Sequence, residues 1–224
     1  MIDDRRILAI VPARAGSQRL PGKNVRAIKG RPLVQWTFDQ AAASALIDQT
    51  AVSTDDSAVA ELARDAGLTV IDRPPNLAGP DASVIDAIGH SLQTLGGAWD
   101  YVVLLQPTSP LRTADDIDGA IRLCHERDAP AVFSVSPTLK PGAFHGTFSD
   151  FGFITDAFPG KGEAALLNGA VYVGRPGQLM SDRTFQPPGA LAYLMPAERS
   201  FDIDTATDFA ICEALLPSVI SGGA

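Results

Sequence analysis

Ile7-Leu8-Ala9-Ile10-Val11 runs straight into Pro12-Ala13-Arg14-Ala15-Gly16-Ser17-Gln18-Arg19-Leu20-Pro21-Gly22-Lys23-Asn24. The first five residues form a continuous apolar run without polar alternation, the pattern of a strand buried on both faces of a parallel sheet. The stretch after it is too rich in Gly, Pro and charge for a helix or a strand and has to be a loop. A loop that follows the first strand of an α/β sheet lies at the carboxyl edge, where such folds bind ligands. Small residues let backbone N–H groups approach phosphate oxygens, and Arg14, Arg19 and Lys23 add positive charge. The loop therefore reads as a polyphosphate site, although a solvated basic loop would share its composition. It is neither of the common phosphate loops: five residues separate Gly16 from Gly22 where a Walker A loop has four, Asn24 replaces its Ser or Thr, and G-x-G-x-x-G is absent.

Outward from this stretch, short apolar runs alternate with helical patterns, which is the signature of βαβ units around a parallel sheet. Strands are predicted at Thr50 to Ser53, Leu68 to Ile71, Tyr101 to Leu105, Ala131 to Val135, Gly169 to Val173 and Leu191 to Met195. Helices are predicted from Pro32, over Asp56 to Ala66, from Ser83 to Leu95, from Thr113, and over Thr205 to Leu216. Tyr101 to Leu105 has the continuous apolar character of a central parallel strand. Asp72 to Ala82 carries three prolines and Gly79, so it is predicted to be a loop without helix. From Pro137 to Leu167 the rhythm breaks, and 137–167 is the candidate insertion, lid or oligomerisation flap. The expectation is a single α/β domain over 1–224, a Rossmann-like, mostly parallel sheet with helices on both faces.

Across 224 residues, 18 Lys and Arg stand against 26 Asp and Glu, for a formal net charge of -8, with 46% hydrophobic and 20% charged residues. That balance supports a real core and excludes a disordered chain. The acidic excess excludes a protein built to coat nucleic acid or an anionic membrane, so any phosphate binding must be local. Cys124 and Cys212 fall in amphipathic helical patterns and read as buried, reduced thiols. His90, His125 and His145 have no metal-ligand spacing. No apolar run approaches the roughly 18 residues of a membrane span, and the first residues show no secretory signal. A soluble, cytoplasmic protein is expected.

Three more positions fall at the expected carboxyl edge. Arg73 follows a strand and Ser83 opens a helix, where an arginine fork and a helix N-terminus could hold a base or a phosphate. A surface arginine and an ordinary cap would look the same. Gln106, in Gln106-Pro107-Thr108-Ser109-Pro110-Leu111-Arg112, offers an amide at the end of a strand, on a loop stiffened by two prolines. Asp202-Ile203-Asp204 precedes the last helix, and alternation places both carboxylates on one side of an extended segment. Such a pair, completed by substrate phosphates, is how Mg²⁺ is commonly held. The competing explanation is that Asp204 caps the helix and Asp202 is solvated.

Together these residues resemble the acylneuraminate cytidylyltransferase family, which activates sialic acids and related nonulosonates as CMP-sugars. The resemblance rests on Val11 to Ser17 with Leu20 to Asn24, Val52 to Asp55, Arg73-Pro74 with Asp81 to Ser83, Leu104 to Arg112, Asn168 to Tyr172 and Asp202 to Thr205. Order and spacing agree over most of the chain, and Asn24 stands where the related KDO cytidylyltransferases typically carry proline. The resemblance implies CTP as donor, Mg²⁺ held by Asp202 and Asp204, and a homodimer built through the 137–167 excursion. It implies that Arg14, Ser17, Lys23 and Asn24 hold the triphosphate and nucleoside, with Lys23 and Arg14 as the catalytic cations. Arg73 and Ser83 fall on the cytidine side and Gln106 on the acceptor. An acceptor oxygen, the anomeric hydroxyl of a 2-keto sugar acid in the family, would attack the α-phosphorus of CTP and expel pyrophosphate. Such chemistry needs alignment and charge neutralisation more than a covalent nucleophile.

The acceptor side departs from the family. Sialic-acid-specific members usually carry a His-His-Pro-type segment after the fifth strand and an arginine about ten residues before the Asn-Gly-Ala strand. Here Ser136 to His145 lacks the former and Phe158 stands near the latter position. Lys140 or Lys161 could supply the missing charge, or either could be a surface lysine. The alternatives left open are CMP transfer to a small phosphonate or another sugar acid, and a catalytically silent nucleotide-binding module.

Overall fold

The computed structural model describes residues 2–17, 19–138, 146–148, 154–157 and 165–221. In chain order the strands are β1 (Ile7–Pro12), β2 (Ala27–Ile28), β3 (Arg31–Pro32), β4 (Gln49–Thr54), β5 (Thr69–Asp72), β6 (Tyr101–Leu104), β7 (Ala131–Pro137), β8 (Gly146–Phe148), β9 (Ile154–Ala157), β10 (Ala165–Gly174) and β11 (Leu191–Leu194). The helices are α1 (Leu33–Ala43), α2 (Ser57–Asp65), α3 (Val84–Leu95), α4 (Ala114–Glu126), α5 (Pro176–Asp182) and α6 (Ala206–Ser221). Seven strands form one sheet in the order β11-β7-β10-β6-β1-β4-β5.

The apolar run that opens the chain lies inside that sheet, paired in parallel with β4 on one side and β6 on the other. Its side chains alternate between two cores. Ile7, Ala9 and Val11 pack with Val34 and Phe38 of α1, Val59 of α2 and Ile117 and Ile121 of α4. Leu8 and Ile10 face the other way, onto Ile85 and Ile88 of α3 and Leu179 of α5. Helices thus cover both faces, and a strand buried on both sides has to be apolar throughout. Each such fully buried Ile, Leu or Val contributes roughly 1.5–3 kcal/mol relative to an exposed one. A third cluster docks α6, through Phe209, Cys212 and Leu216, onto Leu20, Ile28 and Leu33.

Local chemistry sets the helix ends. Asp56 accepts from the N–H groups of Ala58 and Val59 to start α2, Ser83 accepts from Ile85 to start α3, and Thr113 with Asp116 forms a capping box on α4. Cys124 and Cys212 are buried and unpaired, and burial pushes their thiols up to about 11 and about 12.

The structure corrects several expectations. β10 is longer than expected and antiparallel to both β6 and β7, so it alone runs against the other six strands of the sheet, which all share one direction. Asp72 to Ala82 holds no α-helix but does hold one turn of 3-10 helix at Pro75–Leu77. Pro32 pairs with Ala27 in the β2–β3 hairpin and caps α1 from outside, so that helix starts at Leu33. Within 137–167, β8 and β9 pair as a separate antiparallel hairpin. No helix among the described residues is long and apolar enough to cross a membrane.

Candidate active site

The loop after β1 is held at three points. Ala13 N–H bonds Ser53 O at 3.0 Å, Thr54 Oγ1 donates to Ala13 O at 2.5 Å, and Asp55 accepts from Ala15 N–H at 2.9 Å, all from the end of β4. Asn24, itself buried, donates from Nδ2 to Arg14 O at 3.1 Å and closes the loop on itself. Gly22 sits at φ 66°, a left-handed conformation that a side chain would strain, and it turns the chain into a short 3-10 turn at Lys23–Val25.

The result is one open cavity of about 550 Å³ outside the carboxyl ends of the parallel strands. Arg14, Ser17, Lys23, Asn24, Arg73, Ser83, Gln106 and Asp204 all line it. Arg73 is nearly buried and is pinned by bonds from Nε to Ser53 Oγ at 3.1 Å and from Nη2 to Ser53 O at 2.6 Å. Burial lowers the Arg73 guanidinium, Asp55 opposes that, and Arg14 adds to it. Arg14 donates to Gly79 O, next to the lining residue Pro80. Ser83 keeps its hydroxyl at the N-terminus of α3, so that end of a twelve-residue helix faces the same space. Gln106 lies against Gly169, whose φ of 70° suits glycine; a Cβ there would come within 3.6 Å of the Gln106 carboxamide.

The two aspartates do not behave alike. Asp204 lines the cavity and meets Arg19 Nη2 at 3.0 Å and Lys23 Nζ at 3.4 Å. It does not cap α6. Thr205 and Asp208 do so reciprocally, with Thr205 N–H to Asp208 Oδ2 at 2.7 Å and Asp208 N–H to Thr205 Oγ1 at 3.3 Å, which overturns the capping alternative. Asp202 is half-buried rather than fully solvated, and it lies beside the cavity rather than among its lining residues. Its Oδ1 is buried without a hydrogen-bond partner among the described residues. Burial, then the neighbouring Asp204 and Asp208, push its carboxyl above the ordinary range, against a hydrogen bond from Thr108 and the Lys23 charge. A buried carboxylate oxygen with no donor, next to a second carboxylate, is a donor set that fits a hard divalent cation.

The sequence marked Arg19 as one of the cations of the loop without naming a partner and gave no role to Thr108 or Arg112; the structure brings in all three. Arg19 pairs with Asp204. Thr108 lines the cavity, bonds Asp202, and accepts from Ile203 N–H at 2.8 Å. Arg112 lies behind the loop, nearly inaccessible. The cap was readable as Thr205-x-x-Asp208 before an apolar run; the burial of Arg112 left no local signal. Lys140 and Lys161 lie outside the described residues.

A doubly covered, mostly parallel sheet with a cation-lined cleft at its carboxyl edge defines a nucleotide-binding α/β protein. The cytidylyltransferase family profile matches residues 8–144, and the chain belongs to that family. It is 34% identical over 224 residues to a CMP-N,N'-diacetyllegionaminic acid synthase of Legionella pneumophila, covering 94% of this chain and 96% of the relative. It is 32% identical to an N-acylneuraminate cytidylyltransferase of Streptococcus agalactiae over 90% of this chain, but spans only 51% of that longer protein. Among solved structures, a CMP-2-keto-3-deoxy-manno-octonic acid synthetase complexed with CTP superposes with a TM-score of 0.73 at 18% identity, covering 95% of this chain and 99% of the other. That last likeness concerns the fold.

Proposed function

We propose that this chain transfers CMP from CTP to a nonulosonic, sialic-acid-like 2-keto sugar acid and releases pyrophosphate. The observation that carries the reading is the balance of the cavity. Four cations, Arg14, Arg19, Lys23 and Arg73, share it with two carboxylates, Asp81 and Asp204, in a chain that is acidic as a whole. A triphosphate supplies the missing negative charge. Arg14, Ser17, Lys23 and Asn24 hold the triphosphate and nucleoside, with Arg73, Ser83 and the N-terminus of α3 on the cytidine side. Gln106 faces the acceptor. The acceptor hydroxyl oxygen bonds to the α-phosphorus as the bond to the β-phosphate oxygen breaks, and the hydroxyl proton is released. Lys23 and Arg14 offset the charge that builds on the phosphate oxygens, the kind of preorganised stabilisation that dominates such reactions.

Mg²⁺ belongs to the same proposal. Asp202 and Asp204 would hold it, and when bound it would supply charge neutralisation at the phosphates.

We further infer a homodimer through the end of the sheet that carries 137–167. Leu167 and Leu194 flank Val135 in one row across β10, β7 and β11, and with Leu166 they are the exposed large apolar side chains among the described residues. A cytoplasmic location fits two buried, unpaired thiols.

Pyrophosphate release with CTP, Mg²⁺ and a panel of acceptors tests the function. The panel holds N-acetylneuraminate, N,N'-diacetyllegionaminate, 3-deoxy-manno-octulosonate and a small phosphonate. Turnover is expected with at least one of the first two. Protein that binds CTP but turns over none of the panel would overturn the reading, and CTP binding indifferent to Lys23→Ala would point to a silent nucleotide-binding module.

A further inference from the structure

Arg112 is 1% exposed and among the largest fully buried side chains among the described residues. Burying a guanidinium is costly unless it is fully engaged, and here no carboxylate lies within ion-pair distance and Nε is buried without a hydrogen-bond partner among the described residues. Its partners are neutral: Nη1 donates to Gln106 O at 2.7 Å and to Ala170 O at 3.1 Å, and Nη2 donates to Thr37 Oγ1 at 2.6 Å. Burial pushes the group down to about 9, against the more distant charges of Asp116 and Asp202, so it stays cationic at neutral pH. An apolar side chain of similar volume would fill the space without that cost. What the arginine adds is geometry, since one planar fork spans three chain segments that a lysine cannot span together.

Those segments meet at the acceptor side. Gln106 carries the carboxamide that lies against Gly169, and Ala170 is the next residue on that strand. A single nitrogen of Arg112 therefore fixes the loop and the strand on which the two facing groups sit. The strand side is already rigid: Asn168 accepts from Ser134 Oγ at 2.5 Å and donates to Ser200 Oγ at 2.9 Å. Two residues beyond Gln106, Thr108 accepts from Ile203 N–H and bonds Asp202. The loop is thus held at its back by Arg112 and at its front by the segment bearing the carboxylates.

We propose that Arg112 is the positioning residue of the acceptor side: it sets Gln106 against Gly169, and through that loop the approach of the acceptor to the nucleotide, without touching either substrate. The proposal rests on the cytidylyltransferase reading above and goes beyond it. Arg112 does not line the nucleotide cavity. It lines a separate groove of about 340 Å³ with Trp36, Gln40, Pro110 and Leu216, which gives a small cation a route back to its place.

The test compares wild type, Arg112→Ala, Arg112→Lys and Thr37→Val by pyrophosphate release, with CTP affinity measured separately by calorimetry. Wild-type turnover comes first, and its absence counts against the cytidylyltransferase reading rather than against the role of Arg112. In Arg112→Ala the acceptor KM should rise about tenfold or more and kcat should fall, as displacement of a positioned group by about 1 Å does. The CTP Kd should stay within about twofold. Methylguanidinium should restore acceptor KM in Arg112→Ala, and the lysine variant should stay defective. Parallel loss of CTP and acceptor binding, or a folded Arg112→Ala with wild-type acceptor KM, would overturn the proposal. If the alanine variant does not fold, Thr37→Val decides: removing one of three partners should raise acceptor KM by about two- to fivefold, and an unchanged value overturns it.

Discussion

At the carboxyl end of the parallel strands, four cations share a cavity with two carboxylates; Asp204 is divided between Arg19 and Lys23, while Arg14 and Arg73 direct their hydrogen bonds to the backbone oxygens of Gly79 and Ser53. At the opposite end, a smaller cleft holds Arg5, Arg175 and His125, and each faces an acid: Arg5 meets Asp100 at 2.9 Å, Arg175 meets Asp128, and His125 Nε2 lies 2.9 Å from Asp3. Backbone oxygens orient a guanidinium without cancelling its charge, whereas a carboxylate cancels it. One end therefore keeps positive potential for an incoming anion, and the other uses similar residues as exposed pairs worth little each.

The comparison breaks first at the aspartates. Asp202→Ala or Asp204→Ala should lower Mg²⁺-dependent pyrophosphate release by about 10³-fold or more. Circular dichroism should show both variants folded, because Thr205 and Asp208 cap α6 without them. Turnover surviving in both would remove the metal assignment. The next contrast is between arginines. Arg73→Gln should weaken CTP binding by about tenfold, since it removes a charge no carboxylate bonds, while Arg175→Gln should change it by less than about twofold. Equal effects in calorimetry would mean that the two ends do not differ in the way described.

Smaller effects separate framework from site. Thr205→Ala should cost about 1 kcal/mol in urea unfolding and leave most of the turnover; a large loss of turnover would show that the cap also sets the aspartates. At the opposite end, the N–H of Arg6, with help from Arg5, holds the Asp100 carboxyl below the ordinary carboxylate range. A depressed folded value stabilises the native state above the unfolded value of about 3.9 and loses that contribution as pH falls through the folded one. Asp100→Asn should accordingly be less stable than wild type at pH 7, with the two melting curves converging in acid. A gap that persists at pH 2 would assign the effect to packing.

Much of the carboxyl edge was legible in the sequence because its signals are local. An apolar run followed by Gly, Pro and cations, a Ser before a helical period, and an amide at the end of a buried strand each declare their place within a few residues. What was not legible depends on pairing across the chain. Nothing in Ala165 to Gly174 says that it runs antiparallel between β6 and β7, and that insertion is what brings Gly169 to Gln106. Nothing near Arg112 signals its burial, which comes from the distant Thr37 and Ala170 closing on the loop it shares with Gln106. Asp204 was open to two readings because a metal ligand and a helix cap would stand at the same place before the last helix; Thr205 and Asp208 remove the second by taking the cap themselves.

The bond from Lys23 Nζ to Ile203 O joins residues 180 positions apart, and the same C-terminal stretch docks α6 on Leu20, Ile28 and Leu33. The loop that follows β1 therefore depends for its final shape on a segment far along the chain. Arg14 finds its partner in Gly79, but Arg19 and Lys23 gain theirs only when the segment before α6 folds back across the loop. The seven-stranded sheet is complete by β11 without the wall that carries Asp204, so the cavity is finished by a segment that contributes nothing to the sheet itself.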